Sequence, residues 1–241
     1  MPIQDIDTDK YYWHRYLDEY ERIVFSNLSN AKDILEIGVG VKQNTPSIEL
    51  LSRRFPNAKI IGADVLEQRS TWFVADNVSY TKLDQSNKIV VDIFFSHLSL
   101  DLIIDDGSHA PQHQANCLIP GMKALRPTGY YIVEDLHTAQ HVTGDTPLRI
   151  LLALEHLRRT SEDNDKAIKT FSSIGKTFFS SDELTYLFNV IDDVYFFRRA
   201  TLPLRCSGHS YEYFDYSKLQ CQCGVSLYAP DDSLTCIIKK K

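Results

Sequence analysis

The 241-residue sequence contains no apolar run approaching the ~18–20 residues that a membrane-spanning helix requires. Its opening stretch, MPIQDIDTDKYYWHRY, has no basic segment followed by an apolar one, so no secretory signal is expected and a cytoplasmic location is the default. Positive charge is also in deficit. The 26 Lys and Arg stand against 32 Asp and Glu, a formal charge of −6 that speaks against an electrostatic nucleic-acid binder. Lys239-Lys240-Lys241 is expected to be a solvated tail. Neither nucleic acid nor membrane is an expected partner; a homo-oligomer is compatible with the sequence.

Cysteine is sparse and odd in number, which suits reduced thiols. Cys117 stands alone, while Cys206, Cys221, Cys223 and Cys236 follow the spacing C-x14-C-x-C-x12-C. Zinc ribbons present thiolates in paired C-x2-4-C knuckles. Only one close pair exists here and its gap is a single residue, so unliganded cysteines are expected. No internal repeat and no low-complexity tract interrupts the chain, and its aromatic content argues against disorder.

What is present reads as one large domain with a short extension. Residues 1–30 are expected to be a helical N-terminal extension, since Tyr12, Tyr16, Leu17, Tyr20 and Ile23 recur at roughly helical spacing. Such an extension packs on a sheet or covers a ligand. From residue 31 to 241 the rhythm is that of alternating strands and helices. Buried parallel strands are expected at 33–40, 59–65, 78–84, 100–107 and 129–135. Helices are expected after the first strand, around 112–124 and over 147–159. Residues 186–200 and 233–240 read as a late antiparallel β-hairpin, and 160–184 as an insertion or mobile lid. The expected fold is a Rossmann-like, doubly wound, mostly parallel sheet in a three-layer α/β/α arrangement, with ligands at the C-terminal edge of the strands.

The residues at those strand ends carry chemistry. The first strand runs out through Glu36-Ile37-Gly38-Val39-Gly40, a turn whose glycines let backbone approach a ligand closely. A dinucleotide loop would have a third glycine three residues after Gly40, where Gln43 stands, which shifts weight towards a cofactor without phosphate. The second strand ends in Asp64, where a carboxylate accepts both hydroxyls of a ribose. The third ends in Asp84-Gln85-Ser86, where a carboxylate or amide meets an adenine amino group. Together these features resemble class I S-adenosylmethionine-dependent methyltransferases over about residues 30–140. The resemblance implies that Glu36, Gly38 and Gly40 line the methionine end, Asp64 the ribose and Asp84 the adenine.

The fourth strand ends in Ile104-Asp105-Asp106-Gly107-Ser108-His109 and the fifth in Val133-Glu134-Asp135-Leu136-His137-Thr138. Four carboxylates side by side are costly to bury without compensation, and a hard divalent cation such as Mg²⁺ is the natural answer. A bound metal stabilises the alkoxide of a hydroxyl acceptor, and a nearby His takes the proton. The alternative is that one or two of the acids cap following helices. The strings IDDGSH and YIVEDLHT resemble the macrocin and mycinamicin type of sugar O-methyltransferase and the related cephalosporin-hydroxylase-like group. That resemblance implies metal ligation by Asp106, Glu134 and Asp135, with His109 as general base and Asp106 beside it in the catalytic pair. Asp105 then sits nearer the cofactor or holds a neighbour. The expected activity is methyl transfer to a sugar hydroxyl of a glycoside or nucleotide sugar. A catechol-like acceptor and a non-catalytic cofactor-binding subunit are the alternatives. His137 and His141 are expected at a polar rim, and His113 on helical surface.

Overall fold

The computed structural model describes residues 6–40, 44–198, 202–206, 212–218, 220–225 and 233–241. In chain order the elements are α1 (Asp9–Tyr12), α2 (Leu17–Ile23), β1 (Asp33–Ile37), α3 (Pro46–Arg54), β2 (Lys59–Asp64), β3 (Val78–Lys82), α4 (Lys88–Ser96), β4 (Leu100–Asp105), α5 (Pro111–Ala124), β5 (Leu125–Val133), α6 (Pro147–Thr160), α7 (Asn164–Ser172), α8 (Ser181–Val190), β6 (Ile191–Phe197) and β7 (Thr235–Lys240). The seven strands form one sheet in the order β3-β2-β1-β4-β5-β7-β6. Strands β1 to β5 pair in parallel, while β7 runs antiparallel to both β5 and β6. The expected Rossmann-like architecture is therefore present.

Strand pleat divides the core. Leu35, Ile103 and Tyr131 face one layer with Leu118 and Met122 of α5. Their neighbours Ile34, Leu102 and Ile132 face the other, against Ile48 and Leu51 of α3 and Tyr16 and Tyr20 of the N-terminal segment. Both faces are covered, which is why β1, β2 and β4 read as near-continuous apolar runs. The strand order reverses between β1 and β4, so their following loops diverge and leave a crevice at the strand C-termini.

Several expectations are corrected. The N-terminal extension is helical in separate pieces: Arg15 takes a φ of 56°, and this left-handed residue separates α1 from α2. The sequence reading placed no helix at 88–96, where α4 starts from the Asn87 side chain accepting the Val90 N–H at 3.3 Å. Residues 186–190, expected to open a strand, are the end of helix α8. A capping box between Ser180 and Glu183 nucleates α8, and Leu184, Leu187 and Phe188 bury one helical face. Its successor β6 meets β7 across a long connection, so the pair is antiparallel without being a tight hairpin. The stretch 160–184 is tied down: the Asp145 carboxylate accepts the backbone N–H groups of Lys176 at 3.0 Å, Thr177 at 2.9 Å and Phe179 at 3.0 Å, and Phe171 and Phe179 are buried. Lys239 and Lys240 belong to β7 rather than to a solvated tail. The Lys240 ammonium donates to the carbonyls of Met122 and Leu125, at the end of α5. Among the described residues no helix is long and apolar enough to cross a membrane.

Candidate active site

Beyond their last residues, the parallel strands keep bonding. Asp106 N–H donates to Ile37 O at 2.9 Å, Gly38 N–H to Ala63 O at 2.8 Å and Glu134 N–H to Asp105 O at 3.0 Å. The loops after β1, β2, β4 and β5 are thereby drawn onto one ledge. Gly38 holds the closest approach. Its φ is +85°, and a Cβ there would lie 2.1 Å from the Asp106 carbonyl oxygen, so the turn admits only glycine. Above the ledge is a cavity of about 700 Å³ whose walls include Gly38, Gly40, Asp64, Asp84, Gln85, Ser86, Asp106, His109, Glu134 and Asp135.

At one end of this cavity, Asp64 is pre-aimed. One carboxylate oxygen accepts the Val39 N–H at 3.0 Å and the other the Leu66 N–H at 2.8 Å. Asp84 accepts the Ser86 N–H at 2.9 Å and its hydroxyl at 2.6 Å, bonds that hold its carboxyl below the usual range. Gln85 lines the cavity, but its polar atoms turn inwards. Its amide N–H donates to Asp105 at 2.8 Å and its carbonyl accepts the Ser108 N–H at 3.0 Å, so it braces the loop after β4 instead of presenting a free amide. Asp105, expected nearer the cofactor or holding a neighbour, takes the second role and not the first. It is 1 % exposed and off the cavity wall, its second oxygen accepting the Tyr131 hydroxyl at 3.1 Å, and burial pushes its carboxyl up to about 6. Glu36 is likewise fully buried and absent from the main cavity wall. Burial pushes its carboxyl up to about 7 against the pull of the Lys10 ammonium, 3.6 Å away. Val41, Lys42 and Gln43, on which the absence of a third glycine turned, lie outside the described residues.

At the other end stand the carboxylates of the β4 and β5 termini. Asp106, His109 and Asp135 each bring one ligand atom to within 4.8 Å of the others. His109 Nε2 lies 3.2 Å from Asp135 and 3.9 Å from Asp106. Both His109 and Asp135 have a φ of 56°, a left-handed conformation costly for side-chain-bearing residues, so backbone strain is concentrated at this corner. Thr138 helps to hold it by donating its hydroxyl to the His109 carbonyl at 2.7 Å. His113, expected on helical surface, lines the cavity and pairs through Nδ1 with the Ser108 hydroxyl at 2.6 Å.

Glu134 departs from the expected ligand set in its surroundings. It is 2 % exposed, receives the Tyr20 hydroxyl at 2.7 Å and faces the Lys10 ammonium at 2.6 Å. The same ammonium donates to Asp106 at 2.5 Å. Burial alone would lower the Lys10 pKa, but the facing Asp106, Glu134 and Glu36 carboxylates outweigh it and hold it well above its ordinary value. Three acids share one ammonium, and burial drives the carboxyls of Glu36, Asp106 and Glu134 upwards. The donor set beside this ammonium is mostly carboxylate oxygen, with excess negative charge, and that fits a hard divalent cation.

No protein-family model matches the chain. Over 130 residues it is 28% identical to L-olivosyl-oleandolide 3-O-methyltransferase of Streptomyces antibioticus, a match covering 52% of this chain and 33% of that protein. Over 133 residues it is 27% identical to mycinamicin VI 2''-O-methyltransferase of Micromonospora griseorubida, covering 52% and 32% respectively. In three dimensions it superposes on the MycE methyltransferase of the mycinamycin biosynthetic pathway, solved in complex with Mg, SAH and mycinamycin VI. That superposition has a TM-score of 0.65 at 18% identity and spans 98% of this chain and 52% of the other. The chain has a methyltransferase fold. Its resemblance to the sugar O-methyltransferases of the macrocin and mycinamicin type holds in sequence as well. The match spans about a third of the length of the curated relatives.

Within this methyltransferase fold, the residues that sequence reasoning missed come from the N-terminal segment. Thr8, Asp9, Lys10 and His14 line the cavity, and Tyr20 reaches Glu134 from below. The available signal was the acid cluster itself. Four neighbouring carboxylates demand a cation, and the chain supplies one of its own from 96 residues before Asp106.

Proposed function

We propose that this chain is an S-adenosylmethionine-dependent O-methyltransferase acting on a sugar hydroxyl of a small glycosylated molecule, with Mg²⁺ held at the β4 and β5 ends. The observation that carries the reading is the convergence of Asp106, His109 and Asp135 in a cavity that the Gly38 turn and Asp64 also line. The printed activities of the relatives, O-methylation of sugar-bearing compounds, support it.

Each residue then has a task that its geometry suits. The Gly38–Gly40 backbone and Asp64 bind the cofactor, with Asp84 at the adenine end and the buried Glu36 adding negative charge beneath the methionine end. That negative surplus favours a cationic sulfonium. Asp106, Glu134 and Asp135 would hold the metal, which supplies charge stabilisation to the acceptor oxygen when bound. His109 accepts the acceptor's proton at a ring nitrogen, and Asp135, 3.2 Å from Nε2, orients the ring and stabilises its charged form. The fit of acceptor oxygen to methyl is a positioning task that the rigid strand ends perform. The N-terminal segment excludes water from one side.

Calorimetric titration of S-adenosylmethionine and S-adenosylhomocysteine, with and without Mg²⁺, tests the cofactor half. Absence of binding in both conditions overturns it. For the chemistry, Asp106→Ala and His109→Ala are expected to retain cofactor binding while transfer to a panel of glycosides falls by at least ~10²-fold. Unchanged turnover in either would sink the assignment of that residue.

A further inference from the structure

A second cluster of ligand atoms lies outside the cavity, on the segment between β6 and β7. The thiols of Cys206, Cys221 and Cys223 all lie within 4.8 Å of one another, with Cys206 Sγ and Cys223 Sγ 3.4 Å apart. None of the three is joined in a disulfide. Three sulfurs sharing one tetrahedral zinc at ~2.3 Å stand about 3.8 Å apart, the spacing approached here. The backbone around them is a knuckle. Cys221 N–H donates to Val225 O at 2.8 Å and Gly224 N–H to Cys221 O at 2.9 Å, with Gly224 at a φ of +91°. The Val225 N–H also points to the Cys223 sulfur. Cys206 arrives from a separate arm, a short antiparallel pairing of Arg205 with Tyr213 in which Cys206 N–H donates to Glu212 O at 2.9 Å. The two arms thus meet at their sulfurs.

The described residues of this segment bury little apolar side chain. Among its described residues only Pro203 and Cys206 are buried, while Tyr213 and Tyr216 are exposed. A stretch this poor in apolar core needs a staple. It also has something to support. Leu204 N–H donates to Tyr12 O at 2.7 Å, the Arg205 guanidinium lies 3.6 Å from the centre of the Tyr12 ring, and Phe214 stacks on Trp13. Tyr12 and Trp13 lie two and three residues after Lys10, so the thiol segment backs the part of the chain that forms one wall of the cavity.

We propose that Cys206, Cys221 and Cys223 bind one zinc ion as thiolates, and that this ion fastens the segment supporting the N-terminal wall of the cavity. Three thiolates select a soft or borderline metal with tetrahedral habit, which is zinc and not the magnesium suited to the carboxylate corner. Zinc binding releases the thiol protons to solvent. In sequence, His209 follows Cys206 at the two-residue gap of zinc knuckles; it lies outside the described residues, and the three thiols carry the assignment. The one-residue gap that argued against a knuckle is overcome because the third sulfur comes from a distant arm.

Purification without chelators followed by elemental analysis and native mass spectrometry is expected to show one zinc per chain. Cys221→Ser and Cys223→Ser should weaken zinc binding on the order of a hundredfold or more, whereas Cys117→Ser, Cys236→Ser and Asp106→Ala keep it. Co²⁺ titrated into the chelator-stripped wild-type protein should give thiolate charge-transfer absorption, a readout that does not depend on any variant folding. Stripping should also raise hydrogen exchange over residues 7–16. Absence of both zinc and the cobalt signal overturns the proposal, as does a Cys206–Cys223 disulfide in freshly purified protein or full zinc retention in the serine variants.

Discussion

The two ends of strands β1 and β4 each gather acids around one cation, with opposite results. At the N-terminal ends Arg126 bridges Asp33 and Asp101, both at 2.6 Å, and all three side chains keep some solvent contact. Burial opposes ionisation of Asp101, but the N–H groups of Lys32 and Asp33 together with Arg126 hold its carboxyl below the usual range. Every charge there is satisfied. At the C-terminal ends Lys10 meets Glu36 and Glu134 with almost no water, and Asp106 at the cavity wall, and burial drives the acids up instead of down. One end is a clasp and the other a stockpile of unbalanced charge. Groups with perturbed ionisation in a cleft are where chemistry is expected, and the clasp shows that acidity near a strand end is not itself the signal.

Breaking the Lys10 contacts should have the largest effect. Lys10→Met strands buried carboxylates and is expected to cost about 3–5 kcal/mol at neutral pH in urea unfolding. The loss should shrink as pH falls and the acids take up protons, and excess Mg²⁺ should recover part of it. A loss under 1 kcal/mol, by the same order-of-magnitude reasoning, would mean the cluster is solvated. Next comes Asp105, whose carboxyl rises from its ordinary 3.8 to about 6 on folding. The folded state therefore binds the proton more tightly, so stability is greatest below this window and declines as pH rises through it. The decline amounts to roughly 3 kcal/mol, and Asp105→Asn should flatten it. Arg126→Met at the satisfied end is expected to cost only about 1–2 kcal/mol, since water can reach its partners, and the cost should fall with added salt. Smallest is Arg159→Ala, which removes an exposed pair with Glu155 one helical turn away. Its effect on melting should stay within ~0.5 kcal/mol.

Much of this was readable in the sequence where local pattern governs. The five parallel strands announce themselves because residues such as Ile34, Leu35, Ile103 and Ile104 are buried on both faces. The distinction between Asp105 and Asp106 was also legible in part, because successive side chains leave a strand in opposite directions. Asp106 reaches the cavity, while Asp105 holds Gln85 and Tyr131. What failed was whatever depends on distance along the chain. Lys10 and Glu134 are 124 residues apart, and no periodicity connects them. The thiols of Cys206 and Cys223 meet because two arms fold back, which linear spacing disguises. The second half of α8 was misread because Tyr186 to Ile191 is as apolar as a strand, and the capping box at Ser180 outweighed that composition.

The placement of β7 has a consequence for how the chain acquires its shape. Strand β6 is complete at Phe197, yet its sheet neighbour begins only at Thr235, and β7 also covers the outer edge of β5. Until residues 235–240 leave the ribosome, two strand edges remain open to any other chain nearby. Insertion of β7 between them requires a long loop to close, a slow event for non-local pairing. Nascent chains stalled before this point are thus the species most prone to stick together, and sealing the sheet is the step that a chaperone would have to protect.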